Sequence, residues 1–229
     1  MSSRRGGTEM QFRDREEAGR LLAERLREYV RETPIVLALP RGGVAVGYEI
    51  ARALDAPLNV MIVRKLGVPW HPELGMGALA ESGALYLNQE VLGSVDLNAE
   101  EIGKVIAEET RELERRVQRY RGGQPLQDVR GRTVILVDDG LATGSTARAA
   151  VRALRGFGAR RIILAVPVAA SETAEALRTE VDVLVCGEEP SDLWAIGNWY
   201  EDFHQMSDEE VLVLLDQARH HMGGNPASP

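Results

Sequence analysis

A single cysteine, Cys186, occurs in 229 residues, so no disulfide can close within the chain. It follows the apolar run Val181 to Val185 and reads as a buried thiol suited to a reducing compartment. Long apolar runs are missing too. No segment approaches the roughly 20 apolar residues of a spanning helix, and the first residues lack the apolar core of a signal peptide. These absences point to a cytoplasmic protein with no membrane partner. An excess of positive charge is also lacking, since 27 basic and 35 acidic residues give a net charge of −8. That balance argues against nucleic acid as a partner, and a polyanionic substrate would need a local cationic site. Repeats, low-complexity tracts and a convincing linker are absent. Residues 1–11 and 223–229 read as flexible ends. The stretch 12–222 between them reads as one domain of ordinary globular composition.

What is present is organised around Thr133 to Thr146. Thr133-Val134-Ile135-Leu136-Val137 is β-branched and apolar without alternation, the pattern of a central parallel strand covered on both faces. Asp138 and Asp139 follow, then a short loop holding Gly140, Leu141, Ala142, Thr143 and Gly144, then Ser145 and Thr146. Ala147, Ala150, Val151 and Leu154 fall on one face of the helix that comes next. A strand, a glycine loop and a helix start leave backbone N–H groups pointing into the loop, which makes an anion site. A helix dipole contributes only about 0.3–1 kcal/mol at an exposed end. Charge-assisted hydrogen bonds contribute about 1.5–3 kcal/mol each, so donor number decides affinity. Thr143, Ser145 and Thr146 add three hydroxyls to the amides, forming a cup for phosphate. The two carboxylates would repel that phosphate and must face another part of the ligand. At a strand end they can accept hydrogen bonds from vicinal sugar hydroxyls or sit near a divalent ion. The ligand implied is a phosphorylated sugar.

Upstream, Ile35 to Leu39 reads as a buried strand followed by Pro40-Arg41-Gly42-Gly43. A helix carrying Gly47, Ile50, Ala51 and Leu54 then leads to a strand from Leu58 to Val63. This β-α-β unit is expected to cross over right-handed. Arg41-Gly42-Gly43, Arg64-Lys65 and Asp138-Asp139 would all sit at carboxyl ends of strands, where ligands of such sheets bind. Arginine supplies 25 of the 27 basic residues, so Lys65 stands out as a point charge near the expected cleft.

At these residues the chain resembles a known family. Val137-Asp138-Asp139-Gly140-Leu141-Ala142-Thr143-Gly144-Ser145-Thr146 looks like the phosphoribosyl-pyrophosphate (PRPP) motif of the type I phosphoribosyltransferases. Arg41-Gly42 and Ile62-Val63-Arg64-Lys65-Leu66-Gly67 look like the pyrophosphate loop and its neighbour in adenine-type members. The resemblance implies that Arg41, Gly42 and Gly43 hold pyrophosphate, which Arg64 and Lys65 stabilise as it leaves. It implies that Asp138 and Asp139 act on the ribose ring, that residues 143–146 clamp the 5′-phosphate, and that Gly140, Leu141 and Ala142 belong to the same substrate-binding loop. Mg²⁺ would be bound mainly through PRPP and pyrophosphate, with no dedicated metal ligands in the protein. The partners implied are PRPP and a base, and the resemblance is compatible with a homodimer. Gly/Pro-rich residues 67–83, with His71, would hold a mobile loop closing over the substrate. Members acting on 6-oxopurines carry an acid at the position of Ala142. Its apolar side chain here resembles adenine-type enzymes, and the acceptor could be a purine, a pyrimidine or another base.

Further elements complete the reading. An amphipathic helix runs from about Asp14 to Arg31, its polar face solvated. Ala84 to Leu87 forms a short strand, and Asn98 with Glu101 caps a long helix to about Tyr120. Strands at 162–168 and 181–186 flank a helix starting near Ser171, and Ser207 with Glu210 caps a last helix. The fold class is α/β, a doubly wound parallel sheet with strands at 35–39, 58–63, 133–137, 162–168 and 181–186. By resemblance it is type I phosphoribosyltransferase-like, with a core at about 33–186 and a small hood from 12–31 and 187–222. Trp199 and Phe203 are the hood aromatics available to meet a base. Two other classes are open. One is a regulatory protein that senses PRPP or nucleotides on this fold. The other is a nucleotide-cofactor oxidoreductase, which lacks the G-x-G-x-x-G spacing and leaves the acidic motif unexplained.

Overall fold

The structure is a computed structural model and describes residues 11–223. Of the expected flexible ends, 1–11 and 223–229, all but Gln11 and Gly223 lie outside the described residues. The chain begins with α1 (Arg15–Leu26), capped by the Asp14 carboxylate, and tightens into a 3₁₀ turn at Arg27–Glu32. Strand β1 (Ile35–Ala38), helix α2 (Gly43–Leu54) and strand β2 (Leu58–Val60) follow. Next come β3 (Val63–Val68), β4 (His71–Ala80), β5 (Leu85–Leu87), α3 (Gln89–Ser94) and α4 (Ala99–Arg121). The second half holds β6 (Thr133–Val137), α5 (Ser145–Gly156), β7 (Arg161–Val168) and α6 (Ser171–Arg178). Strand β8 (Val183–Glu188) and α7 (Asp208–Gly223) end it.

Five strands form one all-parallel sheet in the order β2-β1-β6-β7-β8. Its interior strands show why apolar runs without alternation mark central parallel strands. Val36, Ala38, Ile135 and Val137 pack toward Val46, Ile50 and Leu54 of α2. Ile35, Leu37, Val134 and Leu136 pack the other way, toward Ala150, Val151 and Leu154 of α5. Each fully buried Ile or Leu stabilises the fold by about 1.5–3 kcal/mol relative to exposure. The doubly wound α/β class is therefore what the structure shows. The chain winds outward from β1 to β2, then returns on the other side of β1 as β6. That reversal opens a crevice between the carboxyl ends of β1 and β6.

The structure corrects four expectations. The strand expected at 58–63 breaks after Val60. The Ile62 N–H goes to the Glu81 carboxylate at 2.6 Å, and β3 leaves for a second, antiparallel sheet, β3-β4-β5. Met61 and Ile62 are fully buried, so an apolar run gave no sign of the break. Arg64 and Lys65 thus lie within a hairpin strand, not at the end of a parallel one. Residues 67–83, expected as a loop, form most of that hairpin. Gly77 permits the close pairing, because a Cβ there would lie 2.1 Å from the Tyr86 carbonyl oxygen. The helix expected from Asp14 to Arg31 turns 3₁₀ after Leu26. Finally, β8 is an edge strand and half-buried throughout, so Cys186 is half-buried rather than buried. Burial and the Glu189 charge still push its thiol up to about 12. The short α3, capped by Asn88, was not foreseen.

The two hood segments meet each other. The Phe12 N–H donates to the Trp199 carbonyl at 2.8 Å, and the Glu201 N–H donates to the Phe12 carbonyl at 2.8 Å. Phe12, Ala18 and Tyr200 are buried together beneath Ile196, Trp199 and Phe203.

Candidate active site

The crevice is framed by two strand ends held in register, with Ala38 opposite Val137 and the Leu39 N–H donating to the Val137 carbonyl at 2.8 Å. Beyond β1 the Pro40–Arg41 peptide is cis, and Gly42 starts α2. Beyond β6 come Asp138 and Asp139. Gly43 presses α2 onto them, since a Cβ there would lie 2.8 Å from the Val137 carbonyl oxygen. The structure thus brings Gly42, Gly43, Asp138 and Asp139 together, with Arg41 half-buried beside them.

The two carboxylates differ. Asp139 Oδ2 accepts a hydrogen bond from Arg15 Nε at 2.7 Å, with the Asp139 side chain only 15% and the Arg15 side chain only 8% exposed. The same guanidinium donates to the His204 carbonyl at 3.0 Å and lies over the Phe203 ring, 3.9 Å from its centroid. The Tyr200 hydroxyl donates to the Asp139 carbonyl at 2.7 Å, and burial and the Asp139 charge raise its own pKa. Asp138 Oδ1 accepts the Asp139 N–H at 2.9 Å, and no cation forms an ion pair with Asp138 among the described residues. Burial and the Asp139 charge push Asp138 well above the ordinary carboxylate range, against that N–H and the Arg15 charge, which lower it.

The loop after the acids is pinned at both sides. The Leu141 N–H donates to the Val168 carbonyl at 2.9 Å, and the Ala170 N–H donates to the Leu141 carbonyl at 3.0 Å. Thr173 Oγ1 donates to the Ala142 carbonyl at 2.6 Å. Gly140 lies beneath Ile196 of the hood, whose Cγ2 would be 2.5 Å from an added Cβ. Gly144 has φ 68° and caps α5 without a side chain of its own, and the first amide of the helix, Ser145 N–H, donates to Thr143 Oγ1 at 3.5 Å. Thr143 Oγ1 and Ser145 Oγ lie 3.2 Å apart, Thr143 exposed and Ser145 and Thr146 half-buried. A chain of amides and hydroxyls therefore lines an open turn.

Arg64 and Lys65 do not act from one side. Arg64 Nε donates to Glu109 of α4 at 2.7 Å. Lys65 pairs with Ala78, and Ala78 with Tyr86, whose ring lies 4.4 Å from the Arg152 guanidinium of α5. Strand alternation sends one residue toward α4 and its neighbour toward α5. Trp199 is half-buried on the Phe12–Tyr200 cluster. The Phe203 ring is enclosed by Arg15, Tyr200 and Gly197, which leaves little room for a stacked ligand. His71 is exposed, and Trp194, at 89% exposure, is the most open large aromatic described. A cavity of about 670 Å³ lies elsewhere, lined by Leu113, Val117, Leu126, Val129 and Phe157.

Sequence reasoning missed Arg15 and Tyr200. The signal for Arg15 was present. It stands three and seven residues before Ala18 and Leu22, on the face that α1 buries, where an unpaired arginine is rare.

A doubly wound sheet with an acidic turn and an amide-lined loop at its switch point defines an α/β protein with a candidate anion site beyond its strand ends. The chain belongs to the phosphoribosyl transferase domain family, whose profile matches residues 13–201. It is 43% identical over 207 residues to two Mycobacterium tuberculosis proteins, Rv0571c of strain H37Rv and MT0597 of strain CDC 1551. Both are named phosphoribosyl transferases provisionally. The match covers 90% of this chain and 47% of theirs, so the chain spans about half the length of these curated relatives. It is also 42% identical to TT1426 from Thermus thermophilus, with a TM-score of 0.78 over 91% of this chain and 99% of that one.

Proposed function

We propose that the protein transfers a 5-phosphoribosyl group between PRPP and a nitrogenous base. The observation that carries this is the placement of the acidic turn and the amide–hydroxyl loop on one strand end, facing Arg41-Gly42-Gly43 across the switch point. The loop from Gly140 to Thr146 takes the 5′-phosphate, and remote binding energy there orients the reacting carbon. The acidic turn takes the ribose hydroxyls and stabilises positive charge that grows on the ring as the bond to pyrophosphate lengthens. Arg41 and the glycine amides beside it hold the departing pyrophosphate, with Lys65 contributing from the hairpin.

No group of three or more His, Cys, Asp or Glu side chains suited to a metal occurs among the described residues. Mg²⁺ keeps several waters and binds largely through substrate phosphates. Bound to the pyrophosphate beside Arg41, it would neutralise leaving-group charge. Ala142 carries no acid, so the group that exchanges a proton with the base is not at that position.

The test is pyrophosphate release and nucleotide formation from PRPP, Mg²⁺ and a panel of purines and pyrimidines. Product with any base supports transfer and names the acceptor. The commitment of Asp139 to Arg15 favours a second reading, a protein that senses PRPP or nucleotides without turnover. PRPP binding with no product across the panel selects it.

A further inference from the structure

We propose that Arg15 is a positioning residue that gives the two acids different tasks. It fixes Asp139 as the joint between hood and sheet, and leaves Asp138 as the carboxylate that meets the pentose hydroxyls. This rests on the phosphoribosyl reading and refines which acid serves it.

Both ends of Asp139 are held by the hood. Its carboxylate is on Arg15 at 2.7 Å and its carbonyl accepts the Tyr200 hydroxyl at 2.7 Å. On the other side Oδ2 lies against Gly42, where an added Cβ would be 1.8 Å away. The guanidinium is tied in turn to the His204 carbonyl and the Phe203 ring. A neutral sugar hydroxyl is a weaker partner for a desolvated carboxylate than a guanidinium. Turning Asp139 toward substrate would also leave the Arg15 charge buried and unpaired. Asp139 therefore stays on Arg15 when substrate arrives. Asp138 has no such cationic partner among the described residues, and one carboxylate has enough lone-pair positions to accept two vicinal hydroxyls. The bond it accepts from the Asp139 N–H transmits the position of the fixed acid to the free one.

The experiment compares Asp138→Asn, Asp139→Asn, Arg15→Gln, Arg15→Lys and the Arg15→Gln/Asp139→Asn double variant, well below their unfolding midpoints. Turnover constants are measured with the accepted base, and PRPP affinity is measured separately by calorimetry. Asp138→Asn should lose about 100-fold or more in kcat, the usual scale for removing a group that stabilises transition-state charge. Asp139→Asn and Arg15→Gln should each lose about tenfold with the same split between kcat and KM. The double variant should be no worse than either, because both open one joint. Arg15→Lys should recover part of the loss. Asp139→Asn as damaged as Asp138→Asn, with Arg15→Gln normal in kcat, KM and affinity, would overturn the division of tasks. So would additive losses in the double variant. A wild-type protein that binds no PRPP would instead overturn the phosphoribosyl reading, and the role of Asp138 with it.

Discussion

Gly42→Ala concentrates the geometry of the site in one methyl group. The backbone at Gly42 is right-handed helical, φ −59° and ψ −36°, so alanine fits the chain without strain and any cost is steric. The added Cβ would lie 1.8 Å from Asp139 Oδ2, 2.5 Å from its Cγ and 2.8 Å from Arg15 Nε. Carboxylate and guanidinium cannot both stay. Breaking a buried ion pair so that its charges lose each other costs about 3–5 kcal/mol. Partial relaxation of these two side-chain ends, which are 15% and 8% exposed, lowers the expected loss to about 2–4 kcal/mol. For a chain of this size that is a fall of about 4–16 °C in the unfolding midpoint. Thermal unfolding followed by circular dichroism reads it directly. In an Asp139→Ala background the nearer collision partner is gone and Arg15, at 2.8 Å and released from its pair, can move aside, so the same change should add less than about 1 kcal/mol. A Gly42→Ala midpoint within about 1 °C of wild type, or equal losses in both backgrounds, would refute the reasoning.

Asp138 titrates above its unfolded value, so its contribution to stability is whole below the ordinary carboxylate range and is lost as pH rises through the folded value. Asp138→Asn should therefore melt higher than wild type near neutral pH, with the gap closing toward acid. A gap independent of pH, read from midpoints between about pH 4 and about pH 8, would count against this. Gly140→Ala should push Ile196 away and displace the loop, lowering kcat/KM by about 10–100-fold. Unchanged kinetics would show that the hood contact does not position the loop. Because Arg64 and Lys65 face opposite helices, Arg64→Gln should lose chiefly thermal stability through Glu109, and Lys65→Gln chiefly turnover. Identical profiles for the two variants would contradict that separation.

Much of the frame could be read from local pattern. Uninterrupted β-branched runs marked β1, β6 and β7, since only a strand covered on both faces stays apolar at every position. Asn98 with Glu101, and Ser207 with Glu210, announced helix starts because a cap is a contact between residues three apart. The same logic explains the failures. Met61-Ile62 is apolar whether the chain continues in one sheet or leaves for another. The glycines of 67–83 signal a loop to a sequence reader but serve close strand passage in β3–β5.

The sequence by itself determined the sheet, the acidic turn and the amide-lined loop, because each is specified by neighbours along the chain. Only the tertiary structure decided that Asp139 belongs to Arg15 and that Arg64 belongs to Glu109. The first pair is 124 residues apart in sequence, so no local spacing encodes it. Such pairing follows from desolvation: a charge carried into the interior takes whichever opposite charge the fold places beside it.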